Sequence, residues 1–114
     1  MFALGPHYKF RLYSKDTDMR KGFDGLCGIV QNCLKEEMTP DQIFIFINRG
    51  RDRVKLLHWD GRSFILYYKR LEHGTFDIPK YEIESGTLEL SYSQLVLMVD
   101  GISMKNISYH KAII

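Results

Sequence analysis

The sequence predicts an α+β fold: an antiparallel sheet of about four strands packed on an N-terminal helix, with a second, C-terminal helix at a side or end of the sheet. Three features carry this expectation. Residues 41–70 hold runs of strand periodicity, "DQIFIFINRGRD" and "RVKLLHWDGRSFILYYKR", interrupted by polar turns. Met19, Phe23, Leu26, Val30, Cys33 and Leu34 recur at helical spacing. Leu95, Met98, Val99 and Ile102 form a second helical stripe, with Val96 alongside. At 114 residues the chain reads as a single domain, with 104–114 as a terminal tail.

The elements follow in order. "YKFRLY" (Tyr8 to Tyr13) alternates between turn residues and reads as a short strand. Thr17 or Asp18 offers an N-cap for a helix from about Met19 to Lys35. Gly22, Gly25 and Gly28 fall inside that segment at steps of three. They suggest a smooth strip where the helix backbone approaches the sheet, or else a partner. In "IFIFI", Ile43, Ile45 and Ile47 point one way and Phe44 and Phe46 the other, as in a strand covered on both sides. Asp60-Gly61 signals a two-residue hairpin in which Trp59 faces Arg62, Leu57 faces Phe64 and Arg53 faces Tyr68. Val54, Leu56, Ile65 and Tyr67 then make a core face, continuing to His58 and Ser63. The opposite face carries Arg53, Lys55, Leu57, Trp59, Arg62, Phe64, Leu66, Tyr68 and Arg70, too apolar for a solvated face and too basic for a core. A further short strand is expected near Tyr81 to Glu84, and Ser91 or Ser93 can cap the last helix.

Composition is that of an ordinary globule, 45% hydrophobic and 26% charged. No apolar run approaches a membrane span, and the N-terminus does not resemble a signal peptide, so a cytoplasmic protein is expected. Cys27 and Cys33 lie six residues apart on one predicted helix, unsuited to a disulfide, and read as buried thiols. The net charge of +2 is unevenly spread: residues 49–70 carry seven bases and two acids. Such segregation argues for a directional electrostatic surface.

No catalytic constellation stands out, and no cofactor or metal is expected. The four histidines are scattered, and Asp16, Asp18 and Asp24 fit loop and cap positions better than a two-metal site. His58 reads as a core-edge residue. What remains is the basic hairpin, whose candidate nucleic-acid contacts are Arg49, Arg51, Arg53, Lys55, Arg62, Lys69 and Arg70, with Trp59 and Tyr68 as stacking partners. Arg20 and Lys21 are secondary basic contacts. Lys and Arg neutralise phosphates and neighbouring aromatics stack on bases. The same residue types serve a protein-binding face with aromatic anchors, or a solvated sheet back whose charges block edge aggregation. On the residues alone all three stay open.

The runs "TDMRKGFDGLCGIVQ", "IFIFINRGRDRVKLLHWDGRSFILYYKRLEHGTFDIP" and "LELSYSQLVLMVDGI" resemble the TnpB-like small accessory proteins of the insertion-sequence-66 group of bacterial transposable elements. The resemblance spans about residues 8 to 103. It implies a role in DNA transposition beside a separate transposase that carries the strand-transfer chemistry. The expectation is therefore a non-catalytic accessory, with DNA and the transposase as partners and self-association as a further option. The alternative is an adaptor that docks the transposase or self-associates without touching DNA.

Overall fold

The computed structural model describes residues 4–79 and 86–100. One sheet contains β1 (Lys9–Tyr13), β2 (Gln42–Ile47), β3 (Arg53–Trp59), β4 (Phe64–Arg70) and β5 (Thr87–Leu90), in the order β4-β3-β2-β1-β5. The helices are α1 (Phe23–Gly28), which runs on into a π-helical turn at Ile29–Cys33, and α2 (Tyr92–Val99). The fold is α+β, as the sequence predicts. The strand anticipated near Tyr81 to Glu84 lies outside the described residues, and the fifth strand is Thr87–Leu90.

β2 explains the layering. Its Phe44 and Phe46 sink into a cluster with Leu57, Leu26, Val30 and Met19, under α1. Its Ile43, Ile45 and Ile47 join Phe10, Leu12, Val54, Leu56, Leu95 and Met98, under α2. The helices thus cover opposite faces, where the sequence suggested α2 at a side or end of the sheet. β1 pairs parallel with β2, while the other neighbours are antiparallel. The segment between β1 and β2 contains α1 and is long enough for the crossover that a parallel pair needs.

The first helix departs from its expected form. It begins at Phe23 with Gly22 as an N-cap lacking a side-chain bond. Thr17 and Asp18 lie before it in an irregular stretch, so neither caps it. Phe23, assigned by spacing to the buried stripe, is 45% exposed. At the far end the Leu34 amide reaches back to Ile29 O, and the Glu36 amide to Val30 O, around Lys35 at φ 53°. This is the left-handed termination that helices favour. The glycines do not mark a close approach to the sheet. A Cβ on Gly22 would meet nothing within 4 Å, and one on Gly28 only Asn32 Nδ2 at 3.9 Å.

The β3–β4 hairpin forms with a register two residues away from the one expected. The pairs run from Trp59↔Phe64 to Arg53↔Arg70, leaving a four-residue loop. Asp60 is the cause. Its Oδ1 accepts the amides of Arg62 (2.9 Å) and Ser63 (2.8 Å), and its own amide donates to Ser63 O (3.0 Å). An Asx arrangement replaces the two-residue turn. A slip of two keeps every side chain on its face, so the facing assigned from sequence survives. α2 is capped by Ser91, with a reciprocal capping box to Gln94.

Phe46 is fully buried between sheet and α1. Phe46→Ala should cost about 3–5 kcal/mol, read as a lower urea midpoint.

Candidate nucleic-acid interface

The basic surface is built around the loop from Asn48 to Arg53. Asn48 Oδ1 accepts the amides of Asp52 (3.1 Å) and Arg53 (3.0 Å), and its Nδ2 donates to Asp52 Oδ1 (2.7 Å). Asn48 O accepts the Arg51 amide at 3.1 Å. From outside, the Phe76 amide bonds Arg51 O (2.7 Å) and the Leu71 amide bonds Asp52 O (2.8 Å). So held, Arg51 adopts φ 59°. An L-residue pays roughly 1–2 kcal/mol for that conformation, and here it falls on Arg51 although Gly50 is adjacent. Arg49 and Arg51 are both exposed.

Arg53 and Arg70 are register partners where β3 meets this loop. A cleft of about 480 Å³ opens beside them, lined among others by Arg20, Arg49, Arg53, Asp16, Asp18 and Thr17. Arg20 Nη2 donates to Asp18 Oδ2 at 2.6 Å, and Arg20 Nε lies within bonding distance of both carboxylate oxygens. These bonds hold the Asp18 carboxyl down at about 2. Asp52 is also lowered, first by its bond from Asn48 and then by Arg53 and Arg70. Among the described residues Arg49, Arg51, Arg53 and Arg70 have no carboxylate within ion-pair distance.

Not every predicted contact joins this group. Lys55 is only 6% exposed. Its Nζ donates to Met19 O and Lys21 O, both at 2.8 Å, and sits 4.6 Å from the centre of the Tyr68 ring. It is a staple between β3 and the loop carrying Arg20 and Lys21, so it cannot reach a phosphate while that loop is in place. Lys69 falls on the other face, 3.8 Å from Asp100 at the end of α2. Arg62 is exposed at the hairpin tip, with Trp59 and Phe64, a full strand length from the Arg53 end. Tyr68 is 51% exposed beside the basic end. Lys21 is exposed, its carbonyl held by Lys55. Sequence reasoning passed over Asn48, though an Asn followed four residues later by Asp in "NRGRD" was the available signal. It also missed that Asp18 engages Arg20.

The other candidates have structural partners. His58 is buried with Nε2 2.9 Å from Pro40 O. Cys27 and Cys33 are free thiols; Cys27 is half-buried and burial raises its pKa, whereas Cys33 is exposed, contrary to its place in the predicted stripe. Among the described residues no helix is long and apolar enough to cross a membrane.

Residues 8–109 match the IS66 Orf2-like protein family, TnpB of IS66 type. The chain belongs to the IS66 Orf2-like family. It is similar to two proteins of Sinorhizobium fredii, both described as uncharacterized. It shares 32% identity with y4jC over 87% of this chain and 85% of that one. With y4hO it shares 31% over 93% and 90%. No solved structure matches it. Membership makes this IS66 Orf2-like chain a transposition-associated accessory protein, and the matched span includes every basic residue discussed above.

Two outcomes follow for the IS66 Orf2-like chain. The folded pKa of Asp18 lies below its ordinary value of 3.8, so its pairing contributes fully above that value and is lost as pH falls toward about 2. A carboxyl-detected NMR titration should place its midpoint near 2, and Arg20→Ala, which keeps the Arg20 amide bond to Asp18, should raise it part of the way toward the ordinary carboxylate range. Lys55→Met keeps the buried stem but strips two carbonyls of their donor, and should cost about 1–3 kcal/mol in chemical denaturation.

Proposed function

We propose that the chain is a non-catalytic, cytoplasmic accessory of DNA transposition that binds DNA through the loop end of its sheet. Arg49, Arg51, Arg53 and Arg70 contact phosphates, Arg20 flanks them, and Tyr68 packs on sugars or bases. One observation carries this reading: four guanidiniums without a carboxylate partner among the described residues stand at one end of the sheet, two of them on a loop fixed by Asn48. A rigid loop loses little entropy on meeting a polyanion. The left-handed Arg51 is the kind of local strain that clusters at functional positions. Arg62, Trp59 and Phe64 at the hairpin tip form a lesser, separate patch.

A second reading has its own support. Phe23, Phe64 and Tyr68 are each more than 40% exposed, and aromatics of this kind anchor protein interfaces. On that reading the chain docks the transposase and leaves DNA alone.

Fluorescence anisotropy with duplex DNA from the element ends separates the two. DNA binding should weaken with salt at a log–log slope of about −0.9 per phosphate neutralised. The Arg49→Ala/Arg51→Ala/Arg53→Ala triple variant should bind more weakly and show a slope flatter by nearly three such steps. Salt-insensitive binding, or no binding together with nuclease-resistant capture of the transposase, would favour docking.

A further inference from the structure

β4 is an edge strand, and no strand lies outside it among the described residues. Its seven residues pair with β3 in unbroken register, without proline, glycine or bulge. Phe64 to Tyr68 carry no charge, and Phe64 and Tyr68 are 44% and 51% exposed. Natural sheets usually blunt such an edge with a short strand, a bulge or charges along its length. The opposite edge, β5, has only four residues, includes Glu89, and is followed at once by α2. On β4 the charges Lys69 and Arg70 are confined to one end.

The backbone of this edge is defined by two bonds. Asp60 N–H to Ser63 O (3.0 Å) and Leu71 N–H to Asp52 O (2.8 Å) bracket the β3–β4 ladder. Bonded and non-bonded pairs alternate along an antiparallel ladder. The bonded pairs are therefore Val54↔Lys69, Leu56↔Tyr67 and His58↔Ile65. The amides and carbonyls of Phe64, Leu66, Tyr68 and Arg70 point away from β3, to the side where no strand lies among the described residues.

We propose that this edge pairs antiparallel with β4 of a second copy, about a two-fold axis through Tyr67. In that register Phe64 lies opposite the partner's Arg70, and Leu66 opposite the partner's Tyr68. All four outward-pointing residues of each copy then fall on bonded positions, and one sheet runs through both copies. Lys69 stands opposite the partner's Ile65. A parallel in-register pairing would instead stack lysine on lysine and arginine on arginine, which is unfavourable for cross-strand neighbours. The antiparallel arrangement separates like charges and sets a guanidinium against a phenyl ring at each end. Arg70 and Tyr68, which the proposed function gives to DNA, lie on this edge, so the two readings are separated by readout: anisotropy for DNA and mass for pairing.

Sedimentation or light scattering of the purified chain should give twice the 13.4 kDa chain mass. Phe64→Lys sets a charge opposite the partner's Arg70 and should raise the dimer dissociation constant by about tenfold or more. Adding Arg70→Glu to Phe64→Lys makes that pair opposite in sign and should restore the dimer. Both positions are exposed, and circular dichroism checks that each variant folds. In a Cys27→Ser/Cys33→Ser background, Tyr67→Cys should form a disulfide-linked dimer on oxidation, because a non-bonded antiparallel pair sits at about 4.5 Å between Cα atoms. Ile65→Cys, opposite Lys69, should not. A monomer at every concentration, a folded Phe64→Lys variant that dimerises unchanged, or crosslinking at 65 but not at 67 would each overturn the proposal.

Discussion

The burial of β2 on both faces is the constraint from which the rest of the molecule follows. Phe44 and Phe46 require cover on one side, and Ile43, Ile45 and Ile47 on the other. α1 and α2 provide it. A sheet roofed on both faces leaves its ends and edges as the places where recognition groups can meet a partner. Lys55 shows the rule at work. It is a basic residue that falls under the roof, and its charge is taken up by two backbone carbonyls and the Tyr68 ring. Arg49, Arg51, Arg53 and Arg70 fall at the open end and keep theirs free of carboxylate partners among the described residues.

That open end is not a slack loop. Asn48 uses both side-chain atoms on the backbone and carboxylate of its own turn, and the chain after β4 returns to bond Arg51 O and Asp52 O. Lys55 ties the segment carrying Arg20 to the same corner. Three stretches distant in sequence are thus joined by hydrogen bonds to backbone carbonyls, and the positive charges they carry are placed without direct attraction between them. The acids are used locally: Asp18 on Arg20, Asp52 on Asn48, Asp60 on its own turn. The five arginines of residues 49–70 therefore persist as a positive field at the surface, while Lys55 is buried and Lys69 pairs with Asp100.

The strands were legible because period-two patterning is a strong signal. β2, β3 and β4 appear where alternation puts them, and the face of each residue was right even though the hairpin register was two residues off. The slip came from Asp60, whose carboxylate caps two amides, a choice that Asp-Gly alone does not announce. The helix was less legible. Spacing assigned Phe23 and Cys33 to a buried stripe, but the helix is short, starts after Gly22 and loosens into a π-turn, and the residues at its two ends, Phe23 and Cys33, are exposed. The parallel β1–β2 pair was hidden because local patterns do not report which strand a crossover returns to. At the site, charge placement in sequence identified the basic region but could not separate its members. Lys55 is buried, Lys69 faces α2, and only the three-dimensional register tells them from Arg53 and Arg70.

The claim on which the account rests is that the loop end of the sheet meets DNA. An amide-resolved NMR titration of the chain with duplex DNA tests it most directly. The account predicts that the perturbed amides concentrate at residues 48–53, at Arg70 and at Arg20, with α2 and the Ile43 face of the sheet unchanged. Perturbations confined to the Phe23 and Phe64 surroundings, or none at DNA concentrations that saturate a salt-dependent binder, would contradict it.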